Sequence, residues 1–223
     1  MCDGWTSKTR KSLINFMVYS HRDMIFHKSV DSTGHSKTKE YIFKLMDKVV
    51  DEVGEENVVQ VATDNEASFK AAGEMLMNKR KPLYWTPCAA YCVDLMLEEI
   101  GSLKHIKEVI DKSIKITSVI YNSAQAVNHM RDNYTGGRYL LRPGITRFAA
   151  EHMALESLLR HKHPLQRCFT DKRFLSYVGI NDKKKKSIVE GVCENVLDKS
   201  FWHRVDEVCK VMEPLVKVLK VVN

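Results

Sequence analysis

The chain has 223 residues, 44% of them hydrophobic, and a formal net charge of +7. This length suits one large domain or one domain with part of another, and the apolar fraction supports a packed core, which excludes disorder as the default. No apolar run approaches the ~20 residues of a membrane helix, and residues 1–10 lack the apolar segment of a secretory signal. We therefore expect no membrane association.

The six cysteines are scattered along the chain, at positions 2, 88, 92, 168, 193 and 209. Without a secretory signal they are expected to be reduced thiols in the cytosol or nucleus. Cys88 and Cys92 lie four residues apart and belong to no two-pair zinc pattern, which argues against a zinc site built from cysteines alone.

The first hundred residues predict three strands, followed by units in which helices alternate with strands. The predicted strands lie at 1–7, 12–20 and 23–31; then follow a helix at 36–53 with Ser36 as its cap, a strand at 58–63, a helix at 67–78, a strand at 83–85 and a helix from residue 88 to 100. An antiparallel meander followed by alternating units indicates an α/β fold, with a mixed sheet flanked by helices.

After Gly101 the pattern becomes helical throughout. An apolar stripe predicts one long helix from His105 to about Asp132, then a glycine-containing loop at 133–144 and further helices at 147–161, 184–196 and 202–222. Pro214 lies inside the last of these and is expected to kink or divide it.

The positive charge lies wholly in this second part. Residues 1–100 carry 13 basic and 15 acidic residues, whereas residues 101–223 carry 22 basic and 13 acidic ones. An acidic partner is therefore expected there, with DNA as the leading candidate. The residues expected to contact phosphates are Arg138, Arg142, Arg147, Arg160, Lys162, Arg167, Lys172 and Arg173, together with the lysine run at 183–186. An ordinary solvated surface is the alternative.

Asp64 directly follows the valine-rich strand at 58–63, at the edge where open α/β sheets place their sites. Taken alone, it is also a good helix N-cap, and Asp3 before Gly4 is a good turn residue. The residue types alone do not decide whether Asp3 and Asp64 belong to a functional site or serve as a turn residue and a helix cap. The histidines at 152, 161 and 163 have no ligand-like partners and are interpreted as surface residues.

Five segments carry a family resemblance. Asp3-Gly4-Trp5-Thr6-Ser7, Thr63-Asp64-Asn65 and Trp85-Thr86-Pro87-Cys88-Ala89-Ala90 come first, followed by Thr146-Arg147-Phe148 and by Phe201-Trp202 with Glu213-Pro214-Leu215. In this order they resemble hAT-superfamily transposases, above all the plant transposase-derived proteins that carry a domain of unknown function. The residues that carry the resemblance are Trp5, Asn65, Trp85, Cys88, Arg147, Phe148 and Trp202.

The resemblance implies a ribonuclease-H-like core at residues 1–104 and part of an all-helical insertion at 105–223, in a nuclear protein. In that fold the first and fourth strands are parallel neighbours, so Asp3 and Asp64 would hold Mg²⁺ or Mn²⁺ for DNA strand cleavage and transfer. The family's third acid is a Glu beyond the insertion, and no such residue is recognised before Asn223. We therefore expect this chain to be a fragment that does not cleave DNA alone. A homo-oligomer is expected only for the full-length protein.

One residue departs from the family pattern. The family commonly has Cys-x-x-His, whereas here Tyr91 stands three residues after Cys88. A phenol does not replace imidazole as a ligand at neutral pH. This departure, with the apolar residues near the C-terminus (Val208, Val211, Leu215, Val218, Leu219, Val222), favours an alternative function. In that alternative the chain is a domesticated, non-enzymatic nuclear protein that acts through protein contacts.

The three tryptophans are expected to be core or domain-seam anchors.

Overall fold

The structure is a computed structural model that describes residues 1–7, 9–20, 23–142 and 149–222. The chain divides into two compact units, Met1–Cys92 and Val93–Asn223. The division predicted between residues 104 and 105 stays a prediction. Arg147 and Phe148, and the start of the helix predicted at 147–161, lie outside the described residues.

The first unit is a five-stranded mixed sheet with helices. Its elements are β1 Cys2–Thr6, β2 Ser12–Ser20, β3 Asp23–Asp31, α1 Lys39–Val53, a 3₁₀ turn at Glu55–Asn57, β4 Gln60–Thr63, α2 Ala67–Lys79 and β5 Tyr84–Pro87. The strand order is β3-β2-β1-β4-β5. β1, β2 and β3 pair antiparallel, whereas β1–β4 and β4–β5 are parallel pairs. The predicted mixed α/β sheet, with β1 beside β4, is confirmed.

The core of this unit lies between the sheet and the helices α1 and α2. Successive side chains of a strand point to opposite faces, so Ile14 and Phe16 of β2 enter the core together. They are joined there by Cys2 of β1 and Val61 of β4, and by apolar residues of α1 and α2: Ile42, Met46, Val50, Phe69, Ala72 and Leu76. The same alternation turns Asp3, next to Cys2, away from this core.

A buried arginine ties α1 to the end of α2. The Arg80 side chain is only 6% exposed, and it donates hydrogen bonds to Asp47 Oδ1 at 2.9 Å, to Asp51 Oδ1 at 2.6 Å and to Glu55 Oε2 at 2.8 Å. Burial alone would raise the pKa of the Asp47 carboxyl, but hydrogen bonds from Lys79 and Arg80 lower it below its usual value. The Asp47 carboxylate thus stays charged, and its hydrogen bonds from Lys79 and Arg80 hold the two helices together.

The second unit is helical in its described part. The chain enters it within α3 Ala89–Ser102 and continues through α4 Lys104–Tyr121, α5 Ala124–Asn133, α6 Ala150–Arg160, α7 Lys162–Cys168, α8 Lys172–Val178, α9 Lys186–Leu197 and α10 Lys199–Val222. None of the described helices is long and apolar enough to span a membrane.

Several boundaries differ from the prediction for local chemical reasons. The long helix predicted from His105 is interrupted, because the Ser123 hydroxyl accepts a hydrogen bond from the Ala126 N–H at 3.2 Å and starts α5 anew. Thr38, not Ser36, caps α1 in the same way. Helices α7 and α8 were not predicted, and α10 runs undivided through Pro214.

Candidate metal centre

The register of the central strands brings Asp3 and Asp64 together. Cys2 of β1 pairs with Thr63 of β4 in the parallel direction. Asp3 follows Cys2 and Asp64 follows Thr63, so the two aspartates lie side by side, at the ~5 Å spacing of neighbouring strands. The adjacency implied by the resemblance is therefore present, although the two residues are far apart in sequence.

The Asp64 carboxylate is anchored across the sheet. Its Oδ2 accepts a hydrogen bond from the backbone N–H of Gly4 at 3.0 Å. It does not cap α2, because Glu66 is the N-cap residue and no side-chain cap hydrogen bond forms there. The interpretation of Asp64 as a helix cap is thus wrong.

The Cα of Gly4 lies against Phe69 of helix α2, while its backbone N–H points to Asp64. A Cβ atom at position 4 would lie 3.2 Å from Cζ of Phe69 and 3.5 Å from Nζ of Lys37. These separations leave little room for a side chain. A glycine here therefore lets β1 pass close to α2 while its N–H remains available to Asp64.

Burial, and then the negative charge of Asp3, raise the pKa of Asp64 to about 6, although the Gly4 N–H opposes the shift. A hydrogen bond between the two carboxyl groups contributes in the same direction. Half-buried carboxylates this close together repel each other unless a proton or a cation lies between them. The pair therefore has the electrostatic character of a cation site.

A tryptophan and a helical glycine fix the end of β4. The Trp85 Nε1–H donates to Thr63 Oγ1 at 3.0 Å, and the Thr63 hydroxyl donates to the carbonyl of Asp64 at 2.9 Å. A Cβ atom at Gly73 of α2 would overlap the indole ring of Trp85, so only glycine admits that ring. Cys88, the residue after β5, donates its backbone N–H to the Thr63 carbonyl at 2.7 Å.

The sequence analysis did not predict that Gly73 and Thr63 position Trp85 and the end of β4. A glycine inside an otherwise regular helical pattern, such as Gly73 between Ala72 and Glu74, was the available signal, because such a residue usually has a packing reason. Thr63 was noted only as part of the segment Thr63-Asp64-Asn65, and no sequence pattern indicated its hydrogen bond with Trp85.

The donor set fits a hard divalent cation in part. Two carboxylates on adjacent strands supply the oxygen ligands that Mg²⁺ or Mn²⁺ prefers. Across the described ranges, no group of three or more histidine, cysteine or acidic side chains is placed to hold a metal. Glu190 and Glu194 belong to α9 and Glu207 to α10, all in the second unit.

The other residues that carry the family resemblance have mixed surroundings. Trp202 is 1% exposed and its Nε1–H donates to the Val196 carbonyl at 2.7 Å, which confirms a core anchor. Trp5 is 52% exposed, so it is not a core anchor, and the alternative that it lies at a domain seam stays a prediction. Asn65 and Tyr91 are exposed, and Cys88 is half-buried.

The histidine assignments are corrected in part. His152 and His161 are buried, contrary to their interpretation as surface residues, whereas His163 is exposed. His161 Nδ1 lies 2.8 Å from the Ser157 carbonyl. Their helix contributes apolar side chains to the core on the same face, which explains why these rings are inside.

The residues predicted to bind DNA differ in their surroundings. Arg160 forms an ion pair with Glu156 at 3.1 Å. Arg142 stacks on the Tyr121 ring, with Cζ 4.3 Å from the centroid, and Arg167 lies 5.7 Å from the centroid of Tyr134. The rest of the group has no ion pair within the described part of the chain: Arg138, Lys162, Lys172 and Arg173. Arg147 lies outside the described residues.

Comparison with protein families identifies the domain to which the first unit belongs. The model of the domain of unknown function DUF659 matches residues 1–116. The chain belongs to the DUF659 family. DUF659 is a domain found in hAT-like transposase-derived proteins. None of the curated proteins that were searched matches the chain.

The match covers both aspartates and the strand that supports them. β1, β4 and β5 all lie inside residues 1–116, so the DUF659 domain contains Asp3, Asp64, Thr63 and Trp85. It also extends into α4. The basic helices that follow, from α5 onward, lie outside the matched range.

Proposed function

We propose that this DUF659 protein derives from an hAT-superfamily transposase of the plant type and retains a remnant divalent-cation site at Asp3 and Asp64. The observation that carries this proposal is the parallel pairing of β1 with β4, which sets the two carboxylates side by side. The raised pKa of Asp64, caused by burial and by Asp3, supports it, because a bound cation relieves that repulsion.

Within this proposal the residues have separate roles. Asp3 and Asp64 hold the ion, and the Gly4 N–H orients the Asp64 carboxylate. When bound, Mg²⁺ or Mn²⁺ supplies a Lewis acid for phosphodiester chemistry. The indole of Trp85 holds Thr63, and therefore the chain direction at Asp64. Because no third carboxylate joins the pair among the described residues, we propose that this chain does not cleave DNA alone.

The proposed partner is DNA, bound without sequence preference by the basic second part of the chain, in the nucleus. Residues 121–185 carry 12 basic and 5 acidic residues, whereas the remainder carries 23 of each. The whole net charge of +7 thus lies in one segment. Such a concentration of lysine and arginine is the usual footprint of phosphate binding.

Calorimetric titration with Mn²⁺ at pH 7.5 tests the cation site. We expect one site in the wild type, weakened at least about tenfold by Asp64→Asn or Asp3→Asn, because each removes one of two charged ligands. Asp31→Asn, which removes an exposed carboxylate at the end of β3, is the matched control and leaves the affinity unchanged. Equal Mn²⁺ affinity in all four proteins contradicts the site.

A nicking assay on supercoiled plasmid tests the lack of cleavage. We expect no nicking above the background of Asp64→Ala with either Mg²⁺ or Mn²⁺. Robust metal-dependent nicking that disappears in Asp64→Ala would contradict the claim that the chain is not competent alone.

A second candidate function rests on the outer face of α10. Val211 and Val218 are 54% and 46% exposed, although Val208 and Leu219 of the same helix are buried. This exposed apolar stripe favours a non-enzymatic protein that acts through contacts between copies of the chain. Light scattering after size exclusion tests it. The candidate predicts a dimer in the wild type and a monomer in Val218→Glu; a monomeric wild type contradicts it.

A further inference from the structure

Three arginine–tyrosine pairs fasten the segment 134–142 to the helices around it. Arg131 of α5 lies over Tyr139, with Cζ 4.0 Å from the ring centroid, and its Nη1–H donates to the tyrosine hydroxyl at 2.8 Å. In the other two pairs, Arg142 lies over Tyr121 of α4 and Arg167 of α7 over Tyr134, at 4.3 and 5.7 Å. We call these six residues the arginine–tyrosine surface.

The segment itself is held in one conformation by its backbone and side chains. The Thr135 hydroxyl donates to the Arg138 carbonyl at 2.6 Å, and the Arg131 Nε–H donates to the Gly137 carbonyl at 3.1 Å. Gly136 and Gly137 adopt positive φ angles of 59° and 79°, which glycine accepts without strain. The Tyr121 hydroxyl donates to the Leu140 carbonyl at 2.8 Å and ties the far end to α4.

The guanidinium groups of this surface stack on tyrosine rings, and the carboxylate nearest to Tyr134, that of Asp171, accepts a hydrogen bond from the Tyr134 hydroxyl at 2.9 Å. Within the described part of the chain, Arg131, Arg142 and Arg167 form no ion pair, whereas Arg80 and Arg160 do. A guanidinium held against an aromatic ring keeps its charge and several N–H donors at its edge, and the stacked ring limits its rotation. Such a group loses little conformational freedom when it binds an anion, and its planar fork matches a phosphate oxygen pair.

We propose that the arginine–tyrosine surface is where this protein contacts the phosphate backbone of DNA. This inference rests on the proposed function and gives DNA binding a location. Phosphates fit better than an isolated carboxylate, because the surface carries three separate unpaired guanidinium groups within the segment that holds the whole net positive charge. The contacts are to the backbone and are therefore independent of base sequence.

The test is fluorescence anisotropy with a labelled duplex of about 20 base pairs, titrated at several salt concentrations between 50 and 200 mM. The variant Arg142→Gln/Arg167→Gln removes two charges from exposed side chains of the surface. The matched control Lys104→Gln/Lys107→Gln removes two charges from exposed side chains of α4. Circular dichroism melting of each protein establishes that it is folded.

The surface predicts about tenfold weaker duplex binding in the arginine variant, with a salt slope lower by about 2, because two phosphate contacts are lost at about 0.9 each. The lysine control loses less than about threefold. Arg142→Lys/Arg167→Lys keeps both charges but loses the planar fork and its stacking on tyrosine, so it retains the wild-type salt slope and recovers only part of the affinity.

Equal losses in the arginine and lysine variants would overturn the location, although DNA binding itself would stand. If the wild type does not bind the duplex at 50 mM salt, the DNA partner of the proposed function fails together with this surface. A polyglutamate peptide provides the remaining outcome. If it binds the wild type as tightly as the duplex does, and the arginine variant loses both equally, the surface serves acidic proteins and not DNA.

Discussion

The Asp64 carboxylate accepts its hydrogen bond from the backbone of Gly4, 60 residues earlier in the chain, at 3.0 Å. This contact joins β1 to the end of β4 and sets Asp64 beside Asp3, where its ionised form is disfavoured. A residue that served only the fold would lower its own energy by capping α2, which Asp64 does not do. Its position is costly for stability, and such positions are typical of functional sites.

Asp64→Asn should stabilise the metal-free protein at pH 7.5. Burial and Asp3 raise the pKa of Asp64 from 3.8 to about 6. The favourable contribution of its protonated form is complete below pH 3.8 and is lost as the pH rises through about 6. A full shift is worth ~1.4 kcal/mol per pH unit, and partial exposure reduces this, so we expect about 1 kcal/mol. Urea unfolding measures it.

The pH dependence supplies the control for that experiment. At pH 4 the wild-type carboxyl is largely protonated, so the gain from Asp64→Asn should shrink towards zero. Asp31, whose pKa is lowered by hydrogen bonds from Thr33, gives the opposite behaviour, and Asp31→Asn should lose stability at pH 7.5. Destabilisation by Asp64→Asn at both pH values would identify Asp64 as a structural residue.

Gly73→Ala should destabilise the protein by about 2 kcal/mol. The new methyl group would overlap the Trp85 ring, and overpacking of this kind costs more than the gain in helix propensity. The displaced indole would also release Thr63, so Mn²⁺ affinity should fall as well. Thermal melting and Mn²⁺ titration measure the two effects.

Gly191 of α9 is the matched control for Gly73. A Cβ atom there meets no heavy atom within 4 Å. Gly191→Ala should therefore stabilise the protein by roughly 0.5–1 kcal/mol through helix propensity alone. If both glycine variants behave alike, Gly73 does not make room for Trp85.

Arg80→Met should cost about 3 kcal/mol, because it leaves the carboxylates of Asp47, Asp51 and Glu55 without their shared partner. Arg80→Lys should not restore stability, since one ammonium does not reach all three. Arg160→Met breaks the exposed pair with Glu156 and should cost less than about 1 kcal/mol. Chemical denaturation measures the free energy of unfolding of the three variants. An equal loss of stability in Arg80→Met and Arg160→Met would contradict the claim that Arg80 ties α1 to the end of α2.

The helical unit should lose stability on mild acidification because of His152. Burial lowers the pKa of His152 on α6, and its Nδ1 is buried with no hydrogen-bond partner among the described residues. A depressed histidine pKa means that stability present above pH 6.5 is lost as the pH falls towards the folded-state value. The neighbouring charges oppose one another, Glu156 on α6 and Glu213 on α10 raising the pKa and Lys220 on α10 lowering it.

His152→Phe removes the titrating group and keeps an aromatic ring of similar size. Melting temperatures measured between pH 7.5 and 5.5 should fall less in this variant than in the wild type. His163→Phe changes an exposed histidine of α7 and should leave the wild-type pH dependence intact. A pH profile that is the same in all three proteins would show that His152 does not titrate in this range.

The order of the sheet elements was predictable, because hydrophobic period and turn residues are local signals. β2 and β3 have the predicted limits, and β4 and α2 lie within about two residues of theirs. The interruption at Ser123 was not, since its apolar stripe continues across the break from Ile120 to Ala124. α7 and α8 each have only 7 residues, too few for a helical period to show.

The site was predictable only in part. Asp64 at the end of a buried strand was a local signal, but its partnership with Asp3 depends on a pairing between distant segments, which no local pattern encodes. The arginine–tyrosine pairs were likewise invisible, because Tyr121 and Arg142 come together only through tertiary packing. The inside position of His152 follows from its helix face, whereas residue type alone suggested the surface.

The most direct measurement is an anomalous difference map from crystals of the protein grown with Mn²⁺. The proposal predicts a peak in contact with carboxylate oxygens of both Asp3 and Asp64, which is lost in crystals of Asp64→Asn. A map without a peak between these carboxylates at saturating Mn²⁺, or with peaks only at other residues, would contradict a retained cation site.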